Sequence, residues 1–152
     1  MHPAKTAIVV TFLALLAAPA ARAQTSDSAA SLLPEQIIWK AMPSNVAPGA
    51  DSALLTGSLG KPGGLYTVRV RLAKGGKVMP HVHPDNRYIT VLSGNLYSSR
   101  SERDPEDNLS RYPAGSYYTV PAGGVHFVLA KDGEVVFQES GIGPTESLFL
   151  KK

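Results

Sequence analysis

Two histidines near the middle of the chain, His81 and His83, are separated by a single residue. In a β-strand, side chains two positions apart point to the same face and lie about 6.5 Å apart along the strand. Two imidazoles placed in this way can share one metal ion, because neutral imidazole is a common ligand for transition metals. The spacing therefore makes a metal centre the first hypothesis for the chemistry of this chain.

The histidine and cysteine counts support the same hypothesis. The chain has four histidines and no cysteine. His2 belongs to the N-terminal segment, so His81, His83 and His126 are all the histidines of the remaining chain. The lack of cysteine excludes a thiolate nucleophile, disulfide bonds and cysteine-containing metal sites. Three imidazoles would suit Fe, Ni, Cu or Zn and would leave open positions for water and a substrate.

The N-terminal segment has the pattern of an export signal. Lys5 gives it a positive start, residues 6–18 form an apolar run that is short for a membrane span, and Ala21-Arg22-Ala23 resembles a cleavage site. We predict a signal peptide at residues 1–23 and a mature protein that is periplasmic or secreted, without membrane attachment. The alternative is an uncleaved N-terminal anchor.

The rest of the chain has the composition of a short linker and one domain. Residues 24–34 are rich in Ser and Ala and predict a flexible linker, and residues 35–152 are enough for one hydrophobic core. Without Lys5 and Arg22 the formal charge falls from +3 to +1, and no basic run remains. The charge pattern therefore gives no support for binding to nucleic acid or to an anionic membrane.

Short alternating segments separated by Gly- and Pro-rich turns predict the fold class. In residues 65–72, Tyr66, Val68 and Val70 alternate with Thr67 and Arg69, as in a half-buried antiparallel strand. Further strands are predicted at residues 35–40, 77–83, 87–92, 96–100, 116–120, 125–130, 135–140 and 147–150. No window after the leader has a sustained helical period. This pattern indicates an all-β sandwich or barrel.

Two groups of residues resemble the two motifs of the cupin superfamily. The first motif is matched by Gly75, His81, His83 and Gly94, with Arg87 at the position where the motif has glutamate. The second motif is matched by Gly115, Pro121, Gly123 and His126, with Ala130 in place of asparagine. The match from Gly75 to Ala130 and its flanking strands cover most of the predicted domain.

The resemblance implies a cupin jelly-roll β-barrel (double-stranded β-helix), as a single domain after the signal peptide. It implies a metal ion held inside the barrel by His81, His83 and His126. Iron is the first expectation, with Ni, Mn, Cu and Zn as alternatives, and a small molecule is the expected partner. A homodimer is an expectation inherited from the superfamily.

Arg87 does not fit a routine metal site. A guanidinium has no acceptor lone pair and a pKa above 12, so it cannot be a ligand. Arginine in place of glutamate changes the formal charge of a divalent site from +1 to +3, and a divalent ion about 5 Å from Arg87 is repelled by roughly 6–7 kcal/mol. Arg87 therefore turns to solvent, holds an anion beside the ion, or occupies a site without metal. Asp85 and Asn86 are candidate substitute ligands.

Two functions remain open at this point. The first is a metal-dependent enzyme of the iron dioxygenase type, in which Arg87 binds a small anionic substrate through its planar fork of donors. The second is a non-catalytic module, with or without metal, that binds a small anion or a sugar. The alternative for Arg87 is a surface ion pair with Asp85 or Glu102. The catalytic residues are not predicted.

Overall fold

A computed structural model describes residues 31–103 and 105–150 of the chain. This part contains two short 3-10 helices, at Pro34–Gln36 and Pro105–Asn108. Its strands are β1 (Lys40–Ala41), β2 (Ala50–Thr56), β3 (Leu65–Leu72), β4 (Lys77–Val82), β5 (Arg87–Ser93), β6 (Asn95–Ser99), β7 (Ser110–Pro113), β8 (Tyr117–Val120), β9 (His126–Leu129), β10 (Val135–Ile142) and β11 (Leu148–Phe149).

The strands form two antiparallel sheets whose inner faces enclose the core. One sheet has the order β1-β2-β3-β10-β5-β8, and the other has the order β11-β4-β9-β6-β7. The core consists of branched and aromatic side chains from both sheets, among them Leu72, Ile89, Leu96, Val128 and Phe137. The predicted all-β architecture is confirmed.

The predicted first strand at residues 35–40 is wrong. Pro34 begins a 3-10 helix, and the strand starts only at Lys40. Proline fits the first helical position because its missing N–H would have no intrahelical acceptor there. The Gln36 side chain then accepts a hydrogen bond from the Leu33 N–H at 2.8 Å, which stabilises the turn.

The predicted signal peptide at residues 1–23 and most of the predicted linker at residues 24–34 lie outside the described residues, so both remain predictions. Within residues 31–103 and 105–150, the structure contains no helix long and apolar enough to span a membrane.

Strand parity decides which side chains enter the barrel. On β5, Arg87, Ile89 and Val91 are buried, whereas Tyr88 and Leu92 on the opposite face are exposed. On β10, Phe137 and Glu139 are buried in the same alternation. Arg87 therefore points into the barrel interior, because it has the same parity as two core residues.

Candidate metal centre

The five-stranded sheet brings the three predicted ligands together. His81 lies on β4 directly opposite His126 on β9, and His83 follows the end of β4. The turn before β9 is hydrogen-bonded to His83, since the Gly123 N–H donates to the His83 carbonyl at 2.8 Å. The three imidazoles are at most 4% exposed. Pairing of two strands thus joins residues that are far apart in sequence.

The three imidazoles have a geometry that fits one metal ion. A ligand atom from each of them lies within 4.8 Å of the others. The His83 and His126 Nε2 atoms are 3.2 Å apart. With metal–nitrogen bonds of about 2.0–2.1 Å, this separation corresponds to a ligand–metal–ligand angle of roughly 100°. Such an angle lies between octahedral and tetrahedral values, so both Nε2 atoms can bind the same ion.

Backbone carbonyls orient two of the rings for this role. The Nδ1 atoms of His81 and His83 lie 2.7 Å from the carbonyl oxygens of Met79 and Glu146, respectively. A carbonyl can only accept, so each of these bonds requires a hydrogen on Nδ1 and leaves the lone pair on Nε2. Outer partners of this type fix the tautomer of metal-binding histidines.

Burial keeps the three imidazoles neutral in the absence of metal. Burial, with a smaller contribution from Arg87, lowers the pKa of His81 to about 4 and that of His83 to about 3. Burial also lowers the pKa of His126 well below its usual value, aided by the two neighbouring histidines. All three rings are therefore in the form that binds metal at neutral pH.

These pKa values predict that the metal-free protein loses stability in mild acid. Below pH 6.5 the histidines bind protons in the unfolded chain but not in the folded chain, where they are buried. The free energy of unfolding therefore falls as the pH drops from about 6.5 towards 4. Each histidine contributes a slope of up to about 1.4 kcal/mol per pH unit. Burial also raises the pKa of Glu139, so the folded chain holds one proton there that the unfolded chain releases, and this opposes the effect of the histidines.

Urea unfolding of chelator-treated protein at pH 7.5, 6.0 and 5.0 measures this slope. The His81→Gln variant is the control, because it removes one titrating group and should reduce the slope. Equal free energies of unfolding at pH 7.5 and 5.0 would contradict burial of three neutral imidazoles.

The imidazoles face a small cavity inside the barrel. The cavity has a volume of about 170 Å³, and we call it the histidine cavity. Its polar wall includes the three histidines, Arg87 and Glu139, and its apolar wall includes Val70, Val128 and Phe137. This space is adequate for water and for a small reactive group next to a bound ion.

Arg87 is buried among internal partners, not turned to solvent. Its Nη1 donates to Glu139 at 3.1 Å, its Nη2 donates to Thr145 at 2.8 Å, and its Nε lies 3.6 Å from the Asp85 carboxylate. Its guanidinium also lies over the Tyr66 ring, 5.2 Å from the centroid. The surface alternative for Arg87 is therefore wrong, although Asp85 is one of its two carboxylate partners.

These partners change the charge expected at the site. With both carboxylates ionised, Asp85 and Glu139 add two negative charges to the positive charge of Arg87. A divalent ion would then give a formal charge of +1, as in a site where glutamate occupies the position of Arg87. The expected charge of +3 left out two carboxylates that the fold brings to Arg87.

The structure places Asp85 and Asn86 outside the cluster of candidate ligands. The Asp85 carboxylate accepts hydrogen bonds from Tyr66, at 2.5 Å, and from Thr145. The Asn86 amide oxygen accepts from the Ala122 N–H at 2.9 Å. Both side chains are held by other groups, so neither joins the three histidines as a ligand.

His83 has two neighbours that require opposite tautomers. Its Nδ1 must carry a hydrogen to donate to Glu146, but the Arg87 Nη2 lies 2.7 Å from the same atom and can only donate. A metal on Nε2 would select the tautomer that faces Glu146. Arg87 would then keep Thr145 and Glu139 as acceptors, so its contact with His83 would compete with metal binding.

Sequence reasoning named Asp85 as a possible ion-pair partner of Arg87 but did not identify the other residues that surround the guanidinium. Glu139 could have been found from its alternation with Val135 and Phe137, whereas no sequence signal identified Tyr66. Gly141 is also part of this arrangement, because a Cβ there would collide with the Tyr66 hydroxyl and the Asp85 carboxylate. A glycine at this position thus permits the buried Tyr66–Asp85 hydrogen bond.

Comparison with known proteins assigns this chain to a family. A family model described as the ChrR cupin-like domain matches residues 28–142. No curated protein sequence matches the chain.

Several solved structures share the fold. The polyketide cyclase RemF from Streptomyces resistomycificus is 15% identical with a TM-score of 0.67, covering 82% of this chain and 89% of its own. An acetylacetone dioxygenase from Acinetobacter johnsonii is 18% identical with a TM-score of 0.63, covering 84% and 80%. KdgF from Halomonas sp. is 15% identical with a TM-score of 0.60, covering 76% and 94%. At these identities the likeness concerns the fold alone.

Proposed function

We propose that this chain, which belongs to the ChrR cupin-like domain family, binds one divalent transition metal ion through His81, His83 and His126. The observation that carries the proposal is the convergence of three buried imidazoles inside the barrel. Two of them are already oriented through Nδ1 by backbone carbonyls. Imidazoles held in this way lose little conformational freedom when they bind an ion.

Iron is the first candidate, and Ni, Mn, Cu and Zn are the alternatives. Three nitrogen ligands and no cysteine favour metals of intermediate softness and leave ligand positions open. When bound, such an ion supplies Lewis acidity and, if it is iron, the capacity to activate dioxygen. The protein contributes the orientation of the rings, and the apolar wall of the histidine cavity limits the access of water.

The finer proposal is an oxidoreductase of the dioxygenase type that acts on a small, anionic molecule. Support comes from the donor set and from the fold shared with an acetylacetone dioxygenase. Fe(II)-loaded protein should then consume O₂ in the presence of a member of a panel of small organic acids and diketones. Absence of O₂ uptake across the panel would favour the alternative, a non-catalytic cupin that binds a small anion or a sugar.

Arg87 is a poorer candidate for the substrate anion than its sequence position indicated. Glu139 and Thr145 already accept hydrogen bonds from it, and within the described residues its Nε–H is the group without an acceptor. We propose instead that Arg87 positions His83 and restrains the affinity for metal through the contact at Nδ1.

Thermal unfolding tests metal binding. A ligand that binds only the folded state at 100 times its Kd stabilises it by about 2.7 kcal/mol. Chelator-treated protein should therefore unfold at a higher temperature after addition of Fe(II), Ni(II) or Zn(II), and the shift should disappear in the His81→Ala variant. A Thr119→Ala variant, altered on the exposed side of β8, should keep the shift. No stabilisation by any of these three metals would overturn the proposal.

We also propose that the mature protein is exported after cleavage behind Ala23, and that it acts on a small molecule outside the cytoplasm. Mass spectrometry of protein isolated from the producing cell tests this directly. A mature N-terminus at Gln24 is the expected result, and an intact Met1 on membrane-bound protein would contradict it. The homodimer remains a prediction.

A further inference from the structure

A second cavity in the barrel shares His126 with the histidine cavity. It has a volume of about 380 Å³ and lies among β6, β7, β8 and β9. We call it the serine cavity, because four serines line it: Ser98, Ser99, Ser101 and Ser110. A water molecule occupies about 30 Å³ in the liquid, so this space is large enough for an organic ligand.

Two polar atoms of the wall are buried without a hydrogen-bond partner among the described residues. They are the Tyr118 hydroxyl and Nδ1 of His126. Burial raises the pKa of the Tyr118 hydroxyl, and the neighbouring Ser98 side chain opposes this shift without completing a hydrogen bond. Unpaired buried polar groups cost stability, and they recur where a bound molecule supplies the partner.

The charge of the cavity indicates what this partner is. Of the described residues that line it, Arg100 is the only charged one. Glu139 shares the inner sheet face with Tyr118, with Ile89 of β5 between them, but it is paired with Arg87. The cavity thus has donors and a positive charge without a carboxylate of its own, which favours a ligand with a negatively charged acceptor.

The wall also has an apolar part. The rings of Tyr112 and Tyr118 stack with centroids 4.3 Å apart, and Val120 lies next to them. Aromatic faces of this kind pack well against a planar or apolar body. A ligand with one carboxylate and a small apolar body would satisfy both parts of the wall.

Metal binding would prepare His126 for such a ligand. An ion on Nε2 would leave the ring hydrogen on Nδ1, the unpartnered atom of a histidine that lines the serine cavity. A carboxylate that accepts this hydrogen bond makes the imidazole a stronger metal ligand. In this one respect the inference rests on the proposed metal centre.

We propose that the serine cavity binds a small carboxylic acid, whose carboxylate accepts hydrogen bonds from Tyr118, Arg100 and His126. The cavity is therefore the anion site of this chain, in place of Arg87. By linkage, metal and acid bind more tightly together than either does alone.

Isothermal titration with benzoate tests this on the whole protein, both metal-free and metal-loaded. Benzoate should bind with a Kd below about 1 mM, and the neutral amide benzamide should bind more weakly. Tyr118→Phe and Arg100→Gln should each weaken benzoate binding by at least about tenfold. The matched controls are Tyr117→Phe, an exposed neighbour on the same strand, and Arg111→Gln, which bonds to Asn95 on the surface.

The results separate this inference from the proposed metal centre. Tyr118→Phe removes an unpaired buried hydroxyl, so it should unfold at the same temperature as the parent protein or higher, which excludes misfolding as a cause of lost binding. Unchanged benzoate affinity in Tyr118→Phe, or no saturable binding to the parent protein, would overturn the inference even if metal binds. Benzoate binding that depends on Tyr118 and Arg100 in a protein that takes up no metal would support the cavity and overturn only the metal centre.

Discussion

Replacing Arg87 with methionine should lower the free energy of unfolding of the metal-free protein by about 3–5 kcal/mol. Arg87 and Glu139 are both less than 10% exposed, and the Asp85 carboxylate lies 3.6 Å from the guanidinium Nε. The substitution removes the cation and leaves two carboxylates without a counter-charge in a setting with little water. Urea unfolding at pH 7.5 measures the loss.

The same substitution at a surface ion pair is the matched control. Arg71 bonds to Asp51 at 2.7 Å, but both side chains are about one-third exposed. Solvent screens such a pair, so Arg71→Met should cost no more than about 1 kcal/mol. Equal losses for Arg71→Met and Arg87→Met would contradict the internal pairing of Arg87.

A double variant identifies the cause of the loss. Adding Glu139→Leu to Arg87→Met removes the main carboxylate that Arg87→Met leaves unpaired and replaces it with an apolar side chain. Part of the lost stability should return, because an unpaired buried charge costs more than an apolar replacement of similar size. Losses that simply add would mean that the two side chains act independently.

The fold could be predicted from the sequence because its strands follow a local rule. Alternation and turn residues located most of the strands, and two short motifs placed His81, His83 and His126 in one barrel. The strand at Ala50–Thr56 was not predicted. The 3-10 helix at Pro34–Gln36, where a strand was expected, has a local cause, since proline and glutamine stabilise the turn there.

The surroundings of Arg87 could not be predicted to the same extent. Glu139 and Thr145 are 52 and 58 positions away in sequence, and their contact with Arg87 depends on the pairing of β10 with β5 and on the segment after β10. Parity places Arg87 on the side of Ile89 and Val91, and this signal argues against the surface position that the sequence interpretation left open. The identity of the partners depends on the register of the strands, which the sequence does not specify locally.

Substituting His126 with alanine should weaken metal binding by at least about 100-fold. Loss of an outer hydrogen-bond partner costs about 10–100-fold in metal affinity, and loss of a ligand should cost more. His126 is 1% exposed and lies opposite His81, so alanine removes the donor atom without changing the surface of the protein. Competition against a chelating dye measures the affinity, and Thr119→Ala on the exposed side of β8 is the control.

Metal content tests the central claim most directly. The protein is loaded anaerobically with Fe(II), and separately with Ni(II) and Zn(II), and excess metal is removed by gel filtration. The number of metal ions per chain is then measured by elemental mass spectrometry. The three-histidine site predicts one ion per chain for at least one of these metals in the parent protein, and almost none in His126→Ala. A parent protein without stoichiometric metal, or equal metal content in His126→Ala, would contradict the claim that His81, His83 and His126 form a metal centre.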